Sequence, residues 1–299
     1  MPELPEVETI RRQLEPRLVR RRITGVEVYD PLLTAPTAPE EFADALTDQL
    51  ITCVDRRGKY LLVGLESGAT LALHLRMTGR LHWRAGSPAP GEERFLRAVL
   101  VCDDGSTVTF ADVRRFGRAW VMPAAVSQRE FWAQRLGVDA LSDAFTARGL
   151  AESLRGRRVA VKTAVLNQRL LAGVGNIYAD EALFAARVHP LRPAGSLTTH
   201  ECRVLRGAIR ARLEVAIAAG GASIDTYRDA LGQRGRMQDL LQVHLHEGDP
   251  CPRCGAIIVK SVVGQRGTYW CPRCQPDTTG SAVAVARRRP RSNRSAGVI

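Results

Sequence analysis

The chain has 299 residues, 45% of them apolar, and its 43 basic against 31 acidic side chains give a net charge of +12 and a pI of about 10.0. That length allows two domains with cores of their own. No run approaches the roughly 18 apolar residues of a membrane span, and charge from Glu3 onward excludes a secretory signal, so a cytoplasmic protein is expected.

The positive excess favours a polyanionic partner, because each neutralised phosphate releases counterions. Charge alone does not separate nucleic acid from acidic lipid. Among the basic residues only Lys59, Lys162 and Lys260 are lysine. A chain so inclined to arginine that keeps a lysine invites a test for an amine that must lose its proton.

The chain opens Met1-Pro2-Glu3-Leu4-Pro5-Glu6. Removal of Met1, usual before a small residue, leaves Pro2 as a secondary amine. An α-amino group titrates at about 7.7–8.0, against about 10.4 for lysine, so near neutrality much of it is nucleophilic free base. Glu3 stands beside it, able to move a proton. A proline-rich start is also compatible with a frayed terminus.

Residues 5–15 read as a helix, with Glu6 and Glu8 in its first turn and Arg11 and Arg12 further along, as the helix dipole favours. Short apolar or alternating runs follow at Ile23–Tyr29, Leu50–Asp55, Tyr60–Leu65, Thr70–Leu75, Leu96–Cys102 and Thr107–Ala111. Gly58, Ser67-Gly68 and Asp103-Asp104-Gly105 punctuate them as turns, which predicts a β-sandwich or barrel.

From Val126 the periodicity becomes helical, with candidates at 127–136, 146–155, 160–170, 176–186 and 198–219. Gly173-Val174-Gly175-Asn176 is a glycine turn feeding a helix that Asn176 can cap, and such a terminus offers N–H groups to phosphate. Residues 220–235 are polar and read as a mobile loop. The tail beyond Cys274 carries Arg287, Arg288, Arg289, Arg291 and Arg294 among Ser, Pro and Gly, and is expected to be disordered.

Cys251-Pro-Arg-Cys254 and Cys271-Pro-Arg-Cys274 are two CxxC knuckles sixteen residues apart. Four thiolates at this spacing close a tetrahedral zinc site around a hairpin. A full shell of four cysteines leaves no position for water, so one structural zinc is expected. Arg266 falls at the hairpin tip, where its fork can grip a phosphate. Cys53, Cys102 and Cys202 lie in apolar stretches and are expected in the core. The expected fold class is α+β: an N-terminal β-sandwich or barrel domain over 1–125, a helical domain over 126–245, a zinc finger over 246–275 and a basic tail over 276–299.

The opening Met-Pro-Glu-Leu-Pro-Glu, Arg57-Gly58-Lys59-Tyr60, His74-Leu75-Arg76-Met77-Thr78-Gly79, Asp112-Val113-Arg114-Arg115-Phe116-Gly117, Gly173-Val174-Gly175-Asn176-Ile177-Tyr178-Ala179 and the four-cysteine ribbon occur in one order. Over residues 1–275 the chain resembles the bacterial formamidopyrimidine-DNA glycosylase family. The resemblance implies a bifunctional glycosylase and abasic-site lyase for oxidised purines such as 8-oxoguanine and formamidopyrimidines, working as a monomer on double-stranded DNA. It implies Pro2 as the nucleophile at C1′, forming a Schiff base, and Glu3 as the acid that assists sugar-ring opening. Lys59 matches the proton donor for β-elimination. Arg266 matches the residue assigned to δ-elimination, although a guanidinium is a poor proton donor and suits a phosphate clamp better.

By the same resemblance Met77, Arg114 and Phe116 fill the space left by the flipped base, a task suited to an apolar wedge and an arginine. Asn176 belongs to a helix–two-turn–helix element that holds phosphate, and Arg157 and Lys162 match further phosphate or lesion contacts. The chain departs from the pattern at Val113, where proline is usual, at His244-Leu245 for a Tyr-Gly, at Phe95 for a histidine, and at Ala222-Ser223-Ile224-Asp225, which lacks paired threonines. These departures bear on lesion preference. The rival readings are an endonuclease VIII-like enzyme for oxidised pyrimidines, whose wedge comes from a single loop, and a noncatalytic damaged-DNA-binding protein.

Overall fold

The computed structural model describes residues 2–87, 95–123, 126–224 and 226–277. Helix α1 (Leu4–Leu18) starts where Pro5 cannot donate a backbone bond and where the Glu3 N–H donates to Glu6 Oε2 at 2.8 Å. Its Leu4, Val7, Ile10, Leu14 and Leu18 recur three or four residues apart and are all buried. Val7 to Leu18 pack on the sandwich, but Leu4 belongs to the core of the helical domain.

The sandwich consists of two antiparallel four-stranded sheets. One has the order β1 (Ile23–Val28), β6 (Leu96–Cys102), β7 (Thr107–Asp112), β5 (Gly79–Arg84). The other runs β2 (Ile51–Arg57), β3 (Tyr60–Leu65), β4 (Thr70–His74), β8 (Arg118–Met122). Strands β5 and β8 and the short helix α2 (Pro39–Asp44) were not anticipated. Gly79-Arg80 and Arg118 give the two strands polar starts that mask their alternation. Inward Leu61, Val63, Leu71, Leu73, Leu81 and Phe110 form the shared core, each worth about 1.5–3 kcal/mol of burial. Cys102 is buried as expected, whereas Cys53 is exposed. A register shift between Ile51 and Cys53 places two outward residues between the inward Ile51 and Val54.

The second half contains α3 (Val126–Ala133), α4 (Ala147–Leu154), α5 (Val161–Leu166), α6 (Asn176–Ala185) and α7 (Thr199–Ala218), with a small parallel pair of β9 (Val138–Asp139) and β10 (Leu171–Ala172) between them. Helix α7 begins in a capping box of Thr198 and Glu201 and buries Cys202, Leu205, Ile209 and Leu213 against the other helices. The ribbon hairpin of β11 (Val259–Val263) and β12 (Arg266–Trp270) turns through Gly264 and Gln265 at φ 54 and 63, a left-handed two-residue turn that matches strand twist. It packs Tyr269 and Ile258 on Phe184 of α6.

The segment expected to be a mobile loop is anchored on both sides of residue 225. Tyr227 and Ala230 lie in the sandwich core, Ala230 O accepts from Trp83 N of β5 at 2.9 Å, and Gln13 bonds both Ala230 N and Asp229. The basic tail expected over 276–299 lies outside the described residues from 278 onward. Among the described residues no helix is long and apolar enough to cross a membrane.

Candidate active site and DNA-facing loops

The N-terminus is seated on the glycine turn that precedes α6. Leu4 N donates to Gly173 O at 3.2 Å, and Gly173, at φ 105, stands so close that a Cβ there would lie 2.3 Å from Leu4 Cδ1. Pro2 is buried directly ahead of Glu3. Glu3 Oε1 accepts from Ile177 N at 3.0 Å, so the carboxylate of one helix caps the start of another, where the dipole favours negative charge. Asn176 was expected to be the cap. Gly175 occupies that position instead, because the Glu3 carboxyl carbon would lie 2.2 Å from any Cβ there. Glu3 Oε2 is buried with no hydrogen-bond partner among the described residues, as is Asn176 Oδ1. Orphaned buried acceptors of this kind ask for a ligand.

Lys59 sits in the β2–β3 turn, after Gly58 at φ 57, and is 6% exposed. Its ammonium makes no hydrogen bond or ion pair among the described residues. Burial lowers its pKa, with Arg266 pushing the same way, and the carboxylates of Glu3 and Glu6 only partly oppose the shift. The amine is thereby drawn toward the neutral form.

Glu6 was read from sequence only as a helix-start acid. It is 1% exposed and accepts from Tyr178 OH, Ala222 N and Glu3 N. Burial first, and Glu3 second, raise its pKa despite those bonds. It joins the N-terminus to α6 and to the loop around Ala222. Its spacing of three from Glu3 on one helix face was the available signal. His74 is the other residue missed. Burial, reinforced by Arg76 and Lys59, pushes its pKa down to about 3, and its Nδ1 accepts from Arg76 N at 3.0 Å.

The residues expected to form the wedge come from two loops that the structure joins. Thr78 Oγ1 donates to Asp112, while Arg114 N donates to both Thr78 Oγ1 and Asp112 Oδ1 at 3.1 Å. Gly117 N donates to Asp112 Oδ2 at 2.7 Å, and Arg115 is bound bidentate to Asp30. These bonds hold the turn at Val113, where the pattern has proline. Met77 is half-buried, Phe116 is 46% exposed, and the Arg114 guanidinium lies 4.6 Å from the Phe116 ring centroid.

Arg266 is exposed at the hairpin tip. Behind it, Gly267 O accepts from Asn176 Nδ2 and Lys162 Nζ, each at 2.9 Å, and Lys162 also donates to Thr268 Oγ1 at 2.8 Å. Lys162 is fully buried and paired with Asp180 at 2.7 Å, so its expected contact with phosphate or lesion is not available. It braces the hairpin from within. His244, where the pattern has tyrosine, meets Asp180 Oδ2 through Nδ1 at 2.8 Å. Arg157 is exposed between α4 and α5, with Nε donating to Ser153 O at 2.6 Å.

The Sγ atoms of Cys251, Cys254, Cys271 and Cys274 all lie within 4.8 Å of one another, with Cys251 to Cys274 at 3.8 Å and Cys254 to Cys271 at 3.5 Å. Zn–S bonds of about 2.3 Å in a tetrahedron require edges of about 3.8 Å, so the donor set fits one structural zinc.

Three family models match the chain: the formamidopyrimidine-DNA glycosylase N-terminal domain over residues 1–119, its H2TH domain over 136–228, and the zinc finger found in FPG and IleRS over 248–276. The formamidopyrimidine-DNA glycosylase of Symbiobacterium thermophilum is 47% identical over 290 residues, 97% of this chain and 94% of that protein. That of Pelotomaculum thermopropionicum is 45% identical, covering 92% and 99%. The solved Lactococcus lactis Fpg bound to DNA with an abasic site superimposes with a TM-score of 0.85 at 37% identity, covering 92% of this chain and 100% of that one. A further complex of the L. lactis protein, a variant bound to DNA containing Fapy-dG, gives the same score. On these matches, spanning the sandwich, the two-turn element and the ribbon, the chain belongs to the formamidopyrimidine-DNA glycosylase family.

Proposed function

We propose that the protein excises oxidised purines, 8-oxoguanine and formamidopyrimidines, from double-stranded DNA and cuts the strand at the resulting abasic sugar. The Pro2 nitrogen bonds to C1′ as the glycosidic bond breaks and its electron pair leaves with the base. Opening of the C1′–O4′ bond, with Glu3 supplying the proton, gives the iminium. The Lys59 amine takes the C2′ proton and passes it to the 3′ phosphate as that group leaves with the C3′–O electron pair, and loss of a C4′ proton to water then expels the 5′ phosphate from C5′ in a second elimination. Arg266 and Asn176 face the backbone phosphates, Arg157 makes a further phosphate contact, and Met77, Arg114 and Phe116 occupy the space of the flipped base.

The observation that carries this reading is the packing of the Gly58 turn, which bears a buried Lys59 with no side-chain partner among the described residues, against the Gly173 turn that seats the N-terminus, with one Glu3 oxygen lacking a hydrogen-bond partner there. The two-loop wedge favours purine over pyrimidine lesions. Borohydride reduction of the Met1-processed protein on 8-oxoguanine, thymine glycol and abasic duplexes is expected to give an adduct at Pro2. Absence of adduct on all three overturns the enzymatic reading, and trapping strongest on thymine glycol overturns the purine reading. Pro2→Ala is expected to bind DNA without trapping.

A further inference from the structure

The Lys59 ammonium makes no hydrogen bond or ion pair among the described residues, so its position is inherited from the turn that carries it. That turn is held from the other domain. Asp139 Oδ2 accepts from Gly58 N and from Arg56 Nη1, both at 2.7 Å, and Arg56 Nη1 also donates to Gly58 O at 2.9 Å. Both peptide groups at Gly58 are thus engaged by one ion pair. Arg56 Nε reaches Glu8 Oε2 at 3.1 Å, which adds α1 to the assembly. The side chains of Arg56 and Asp139 are only 9% and 16% exposed, which limits screening of the pair.

Asp139 sits on β9 opposite Ala172 of β10, and Ala172 runs directly into Gly173, the acceptor for Leu4 N. A Cβ on Gly58 would lie 3.2 Å from Ala172 Cβ and 3.5 Å from Gly173 N. The lysine turn and the N-terminus are therefore both referenced to the same two-residue strand of the second domain.

We infer that Asp139, acting through Arg56 and the Gly58 peptides, is a positioning residue that keeps Lys59 in register with Pro2 across the domain junction. Elimination, which needs Lys59, then depends on Asp139, whereas attack by Pro2 does not. The inference rests on the reading of Lys59 as the proton carrier.

The test uses full-length, zinc-loaded protein on a duplex with one abasic site, comparing single-turnover strand cleavage with borohydride-trapped adduct. Asp139→Ala is expected to slow cleavage by about tenfold or more, since small misplacements of a reacting group have effects of that order. It should keep trapping within about twofold of wild type and move the limb of the cleavage pH profile assigned to Lys59, and Asp139→Glu should recover most of the rate. If Asp139→Ala does not fold, Arg56→Gln is read in the same way. Equal losses in trapping and cleavage, or an unchanged ratio and pH profile, overturn the inference. Lys59→Ala is the control: if it cleaves as wild type, the Lys59 reading itself falls.

Discussion

The buried cluster proposed as the floor of the site and the loops proposed as its wedge are built on opposite plans. Pro2, Glu3, Glu6 and Lys59 are buried, and burial is the largest cause moving the pKa of Glu6 up and of Lys59 down. Arg114 and Phe116 are exposed, and only the backbone beneath them is pinned, by Thr78 and Asp112. Groups that move protons need a low dielectric and fixed distances. Groups that replace a base in a stack need free surface on a rigid mount. The comparison teaches that the chemistry should fail through packing changes and base displacement through loss of side-chain surface.

Gly175→Ala should break the floor most severely, because the new methyl would occupy the place of the Glu3 carboxyl group. Excision of 8-oxoguanine in single-turnover assays is expected to fall by about a hundredfold or more, with zinc content unchanged. A smaller, selective loss is expected from Phe116→Ala. Excision of 8-oxoguanine should slow by about tenfold, while cleavage at a preformed abasic site, which needs no base extruded, stays within about twofold. Equal losses on both substrates would erase the distinction between floor and wedge.

Lys59→Met sharpens the comparison through stability. Because the folded pKa of Lys59 lies below its ordinary 10.5, its protonation opposes folding. That opposition is full below the folded pKa and gone once the pH passes the ordinary value. The variant should therefore unfold at higher temperature at neutral pH, with the advantage shrinking toward pH 10.5. Thermal unfolding as a function of pH checks this. The smallest effect is expected at Leu245, which holds φ 70 and is 51% exposed. Leu245→Gly should stabilise by about 1 kcal/mol with no change in cleavage.

Most of the secondary structure was legible because it is local. The six alternating runs and five helical stretches follow from side-chain period and turn residues, and the four-cysteine ribbon follows from spacing. What failed was settled at long range. Lys162 matches a phosphate or lesion contact by resemblance, but Asp180, on another helix, and the hairpin carbonyl of Gly267 enclose it. Asn176 has a capping side chain, but Gly175 is the cap and Glu3, more than 170 residues earlier, reaches the helix start to accept from Ile177 N. Asp139 lies in a strand of two residues, too short for any period to register. The division at residue 125 also hid an exchange, in which Leu4 packs with the helices while Tyr227 and Ala230 pack with the sandwich.

Glu3 gives one oxygen to the start of α6 and keeps the other buried with no hydrogen-bond partner among the described residues. A descendant that gave up catalysis would still need the first of these to keep its helix, so Glu3 would persist in a silent copy. Lys59 is the reverse: a buried amine with no side-chain partner among the described residues, whose charge the fold would do better without. For telling a working member of this family from a retired one, the lysine in the turn is therefore the more informative residue, and the acid beside the terminal proline the less.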